Sequence, residues 1–112
     1  MKNRAIPYHK ARPRLNARAD VLKALAHPVR LFIAEELCQK EICVCELTKR
    51  IGMDMSTVSK HLSVLKNAGI IEDEKRGAWV FYCLKMPCLI KICDCVESAL
   101  KNRALKNMEL TQ

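Results

Sequence analysis

The chain has 112 residues, half of them hydrophobic, and 20 Lys and Arg against 12 Asp and Glu give it a net charge of +8. That length makes one small domain, and the apolar content is too high for a disordered tail. Apolar runs stay far below the ~18 residues of a membrane span, residues 1–20 carry no apolar signal-peptide region, and no phosphate-cradling glycine loop or nucleophile–base pairing marks an enzyme. What remains is a basic binding module of the cytoplasm with no membrane partner, and the polyanion that fits it is nucleic acid.

Residues 1–18 hold Lys2, Arg4, Lys10, Arg12, Arg14 and Arg18 with no acid. They read as a basic flexible arm, either lying on phosphates or simply solvated. From Asp20 the apolar positions Val21, Leu22, Leu25 and Ala26 predict a first helix. His27-Pro28 stops it, and Pro28 opens a second helix that ends near Cys38. A short third helix spans Val44 to Ile51, with Gly52 as its stop. After a tight turn over residues 53–55 a fourth helix runs from Ser56 to Ala68.

The fourth helix has two faces. Val58, Leu62 and Leu65 form its apolar stripe, and Ser56, Ser59, Lys60 and Ser63 collect opposite. Short hydroxyls with a lysine suit close approach to a groove wall and phosphates. Beyond Gly69 the period falls from 3.6 to 2, so Ile70–Glu74 and Trp79–Leu84 predict a hairpin with a cationic tip over Lys75–Ala78. A last helix, 88–107, carries Leu89, Ile92, Val96, Ala99 and Leu100 along one side, ahead of a short tail at 108–112. That is more apolar surface than so small a domain can cover, which predicts a homodimer. The fold class is mainly α with a small β-hairpin: a winged helix-turn-helix over 19–107, in the order α-α-α-α-β-β-α.

The seven cysteines are Cys38, Cys43, Cys45, Cys83, Cys88, Cys93 and Cys95. An odd number without a secretion signal argues against a disulfide framework and for metal, metalloid or redox chemistry. Cys83 and Cys88 read as small core hydrophobes. Two Cys-x-Cys pairs, Cys43/Cys45 and Cys93/Cys95, hold four of the others.

Four separated blocks carry a family resemblance: residues 22–31 (LKALAHPVRL), 56–62 (STVSKHL), 65–71 (LKNAGII) and 76–82 (RGAWVFY). Together, over residues 19–100, they resemble the ArsR/SmtB family of bacterial metal-sensing repressors. The resemblance implies a homodimeric repressor that leaves its double-stranded operator DNA when an inducer binds. A recognition helix in the major groove would offer Ser56, Thr57, Ser59, Lys60 and Ser63, and the wing would place Lys75 and Arg76 on the adjacent backbone. His61 flanks the buried stripe, so base contact and a structural hydrogen bond are both open to it. His27 stands where the family usually has Asp or another polar cap.

The stretch 41–47 (EICVCEL) resembles the arsenic-sensing branch, whose motif reads Glu-Leu-Cys-Val-Cys-Asp-Leu-Cys. Cys43 and Cys45 match its first two thiols, while Thr48 replaces the last. Softness favours As(III) or Sb(III) as inducer, with Cd(II), Pb(II) or Zn(II) as alternatives. On a regular helix the two sulfurs would lie ~200° apart, so binding would have to unwind the helix start. Cys38, Cys93 and Cys95 are candidate further ligands. Those three thiols also support a different reading, a redox or persulfide switch on the same scaffold.

Overall fold

The buried core draws side chains from α1 (Tyr8–Leu25), α2 (Pro28–Gln39), β1 (Ile42–Cys43), α3 (Val44–Ile51), α4 (Met55–Asn67), β2 (Ile71–Arg76) and α5 (Cys88–Leu110). In this computed structural model, which describes residues 5–110, the remaining strand is β3 (Trp79–Leu84), whose Tyr82 and Leu84 pack against that core. Ile33, Leu47, Val58, Leu62 and Leu65 are fully buried, so α2, α3 and α4 meet over one apolar centre. The 3.6-residue stripe of α4 points into it, which turns the Ser56–Ser59–Lys60–Ser63 face to solvent.

Each helix end has a local cause. Pro28 sits in the first turn of α2, and the His27 ring caps that helix, its Nδ1 accepting from the Val29 amide at 3.1 Å. His27 thus does the work of the acid that the family resemblance led us to expect. Gly52 closes α3 at φ 77°, a left-handed conformation that favours glycine. Asp54 caps α4. Among the described residues no helix is long and apolar enough to cross a membrane.

Several boundaries differ from expectation. α1 begins at Tyr8, not near Asp20, so residues 8–18 of the expected arm are a helical extension; Lys2 and Arg4 lie outside the described residues. Pro13 lies inside α1 and removes one backbone donor there. α5 continues to Leu110 and takes in part of the expected tail. The wing turn is tighter than predicted: Arg76 pairs with Trp79, leaving only Gly77 and Ala78 between the strands, with Gly77 at φ 62°.

The largest difference is β1. Ile42 and Cys43 pair antiparallel with Tyr82 and Phe81 of β3, giving a three-stranded sheet in the order β1-β3-β2. Two residues are too few for a period-2 signal, and Ile42 earns its place by burial. Cys43 is consequently extended (φ −76°, ψ 154°) at the N-cap of α3, not on a helix. The expected ~200° separation of the two thiols on one helix therefore does not apply. Cys83 is half-buried and Cys88 exposed, so neither is the core hydrophobe expected.

Candidate nucleic-acid interface and thiol site

The exposed face of α4 begins at its cap. Asp54 accepts from the Ser56 hydroxyl, from the Thr57 hydroxyl at 2.6 Å and from the Thr57 amide at 3.3 Å. Those donors hold the Asp54 carboxyl down to about 2. With their protons committed to Asp54, the Ser56 and Thr57 hydroxyls have only lone pairs left for a further partner. Ser59, Lys60 and Ser63 are exposed further along the same helix. Asp54 falls in the turn expected over residues 53–55, and its cap role has a sequence signal: an acid three residues before Thr57 at the head of an apolar-periodic run.

His61 stands apart from this face. It is half-buried, its ring 4.4 Å from that of His27, and its Nδ1 accepts from the Arg30 guanidinium at 3.1 Å. Burial, then the neighbouring His27 and Arg30, push its pKa down. Arg30 also donates through Nε to the Ala24 carbonyl at 2.5 Å. This group of side chains joins the end of α1, the start of α2 and the middle of α4.

On the wing, Lys75 is exposed and Arg76 is engaged. Arg76 donates to both carboxylate oxygens of Glu41 at 2.6 and 2.9 Å, donates to Glu74, and lies 4.8 Å over the Phe81 ring. The pairing lowers the Glu41 pKa and raises that of Arg76. Nothing in the local sequence around Glu41 announced this contact, because its partner is thirty-five positions away.

Cys43 and Cys45 straddle the junction of β1 and α3. Cys43 is half-buried and Cys45 exposed on the first turn. Cys38 is exposed near the end of α2, and Cys95 is exposed on α5. Cys93 is half-buried in an apolar groove between α1, α2 and α5, where burial, then Glu35 and Asp94, push its thiol pKa up. Among the described residues, no three His, Cys, Asp or Glu side chains come together as a metal site. Among the described residues the structure brings neither Cys38 nor the α5 thiols into one site with Cys43 and Cys45.

Helices packed in this order, a solvent-facing α4 and a β-hairpin beside it define a winged helix-turn-helix DNA-binding protein. Residues 27–73 match the model of the bacterial regulatory protein, arsR family. An HTH-type transcriptional regulator of Methanocaldococcus jannaschii is 38% identical over 65 residues, covering 57% of this chain and 73% of that protein. The arsenical resistance operon repressor of Bacillus subtilis is 44% identical over 61 residues, 54% of this chain and 58% of its own, so that likeness spans little more than half of the relative. The homodimeric winged helix-turn-helix DNA-binding domain of a Mycobacterium bovis protein superposes with a TM-score of 0.73 at 27% identity, over 91% of this chain and 94% of that one. The chain belongs to the ArsR family: it is a DNA-binding transcriptional regulator, not an enzyme.

Proposed function

We propose that this protein is a homodimeric repressor, acting in the cytoplasm, that leaves its operator when As(III) or Sb(III) binds the thiolates of Cys43 and Cys45. The DNA-binding and dimerisation unit, expected over 19–107, takes in the whole of α1 and α5. Ser56, Thr57, Ser59, Lys60 and Ser63 face the groove and Lys75 faces a phosphate, while His61 and Arg76, also expected at the interface, are held by contacts within the protein.

The observation that carries this reading is the position of Cys43, extended at the N-cap of α3 with Cys45 on the following turn. An extended residue next to a helix start can turn its sulfur toward the first turn without unwinding the helix. Two thiolates plus an outside thiol or hydroxide satisfy a pyramidal As(III). Zinc in a closed site wants four protein ligands, which are not gathered here. Cd(II) and Pb(II) share the softness and remain the alternatives to test. Titration of reduced protein with As(III), Cd(II) and Zn(II), followed by thiolate absorption and stoichiometry, tests the assignment. One As(III) per chain, lost in Cys43→Ser/Cys45→Ser, is the expected result.

A separate observation favours a second reading, a thiol redox or persulfide switch. Cys38 and Cys95 are exposed free thiols open to oxidants and polysulfide, whereas burial, Glu35 and Asp94 disfavour the Cys93 thiolate. DNA release by diamide or polysulfide without release by arsenite selects this reading over the first.

A further inference from the structure

Arg76 reaches all three strands of the sheet. Its terminal nitrogens grip Glu41, the residue before β1; its Nε meets Glu74 on β2; its guanidinium lies over Phe81 on β3. Phe81 is also the register partner of Cys43. The wing and the thiol-bearing segment therefore share one fork of hydrogen bonds in addition to a two-residue ladder.

A bidentate guanidinium–carboxylate pair fixes orientation as well as distance, which a lysine cannot do. Both side chains are over two-fifths exposed, so the pair matters for where it holds the chain more than for the stability it adds. With two carboxylates on it, Arg76 also has little charge left to give a phosphate.

Resting on the thiolate reading above, we propose that Arg76 is a positioning residue, and that its grip on Glu41 transmits occupancy of Cys43 and Cys45 to the DNA-contacting wing. Drawing two sulfurs onto one ion requires Cys43 and Cys45 to converge. α3 is anchored by the fully buried Leu47, whereas β1 is held by two residues of ladder, buried Ile42 and the Glu41–Arg76 fork. The short strand yields. Glu41, two residues from Cys43, moves with it, and the tip of the wing loses this one of its ties to the body of the domain.

The test compares wild type with Glu41→Gln, Arg76→Lys and Glu74→Gln. Arsenite binding is read by thiolate absorption, operator affinity is measured with and without arsenite, and amide hydrogen exchange is followed in the ligand-free protein. Glu41→Gln and Arg76→Lys should bind As(III) like wild type, but operator affinity should change less than about two-fold on binding, against the roughly 5–150-fold typical of such coupling. In both variants residues 42–44 and the wing should lose protection together. Glu74→Gln removes a charge of the same sign next to Arg76 without touching β1, and should keep the wild-type response. An unchanged arsenite response in Glu41→Gln overturns the proposal. Wild type that shows no thiolate absorption with arsenite removes the inducer assignment instead. In that case the exchange data decide: joint loosening in Glu41→Gln upholds the link between segment and wing, and unaltered protection refutes it.

Discussion

His61 on α4 sets its ring 4.4 Å from that of His27, the cap of α2, at a tilt of 43°, and takes a hydrogen bond from Arg30 on its Nδ1. A guanidinium only donates, so Nδ1 is the acceptor and the neutral ring carries its proton on Nε2. Protonating His61 breaks that bond and sets a second cation against Arg30. Burial, His27 and Arg30 already depress its pKa below the ordinary 6.5. The depressed value fixes the sign: the stability that the neutral ring contributes is whole above about pH 6.5 and is lost as pH falls through the lower folded-state value. Denaturant midpoints should therefore drop as pH falls below about 6.5. His61→Asn, which keeps an acceptor near the Nδ1 position and does not titrate, should flatten that slope. An unchanged slope in the variant would place the titration elsewhere.

The wing charges should not contribute equally to DNA binding. Lys75 is exposed, whereas Arg76 is held by Glu41 and Glu74. Lys75→Ala and Lys60→Ala should each lower the slope of log affinity against log salt by about 1, weakening binding across sequences. Arg76→Ala should lower it by clearly less. Operator binding measured over a salt series checks this, and an Arg76 effect equal to that of Lys75 would count against the engaged geometry.

Along α4 the hydroxyls should separate by what holds them. Ser59 is exposed beyond the cap, so Ser59→Ala should alter base preference while leaving the salt slope in place. Asp54→Ala removes the acceptor that holds Ser56, Thr57 and the first turn. It should loosen the start of α4 in hydrogen exchange and weaken operator binding, and Asp54→Asn should restore most of both. Selection from a randomised operator library reads the first effect.

Much of this was legible in the chain. The stripe Val58–Leu62–Leu65, the stops at Pro28 and Gly52 and the change of period after Gly69 are local signals, and each gave its element within a few residues. The exposed hydroxyl face of α4 followed from the same stripe. What escaped was long-range or too short to have a period. β1 exists because Ile42 is buried and the edge of β3 is free to pair, a fact about Tyr82 and Phe81 forty positions on. The start of α1 was hidden because Pro13 and a run of cations look like a solvated arm, and the helix is anchored at its far end, by buried Ala24 and Leu25 with Val21 packed beside them. Arg76 looked like a wing-tip cation because Glu41 is remote in sequence. The Cys43/Cys45 motif was plain from the start, but its geometry depended on β1.

The apolar face of α5 should be a subunit interface. Ile92, Val96 and Leu100 are about half-exposed and line the groove that Leu22, Leu31 and Phe32 close from α1 and α2. Burying a large aliphatic side chain fully is worth about 1.5–3 kcal/mol, so a handful contributed by each copy meets an association cost of about 4–15 kcal/mol. Val96→Glu/Leu100→Glu should give a folded monomer by sedimentation that has lost high-affinity operator binding. A dimer that persists in this variant would move the interface elsewhere.

Induction is the sharpest expectation. Neither Cys43 nor Cys45 lies on the exposed α4 face or in the buried core, so Cys43→Ser/Cys45→Ser should fold, dimerise and bind operator as wild type does. It should no longer bind As(III) or release DNA with arsenite, a loss of the whole coupling, typically about 1–3 kcal/mol. Cys93→Ser/Cys95→Ser should keep the arsenite response, because Cys93 sits in the α2–α5 groove and is not gathered with the β1–α3 thiols. Cys38→Ser should do the same. Fluorescence anisotropy of labelled operator during arsenite titration, run on all three variants under fixed reductant, separates the cases. Full inducibility of the Cys43→Ser/Cys45→Ser protein together with a silent Cys93→Ser/Cys95→Ser protein would move the site to α5. Both would then leave the β1–α3 junction with no role in sensing.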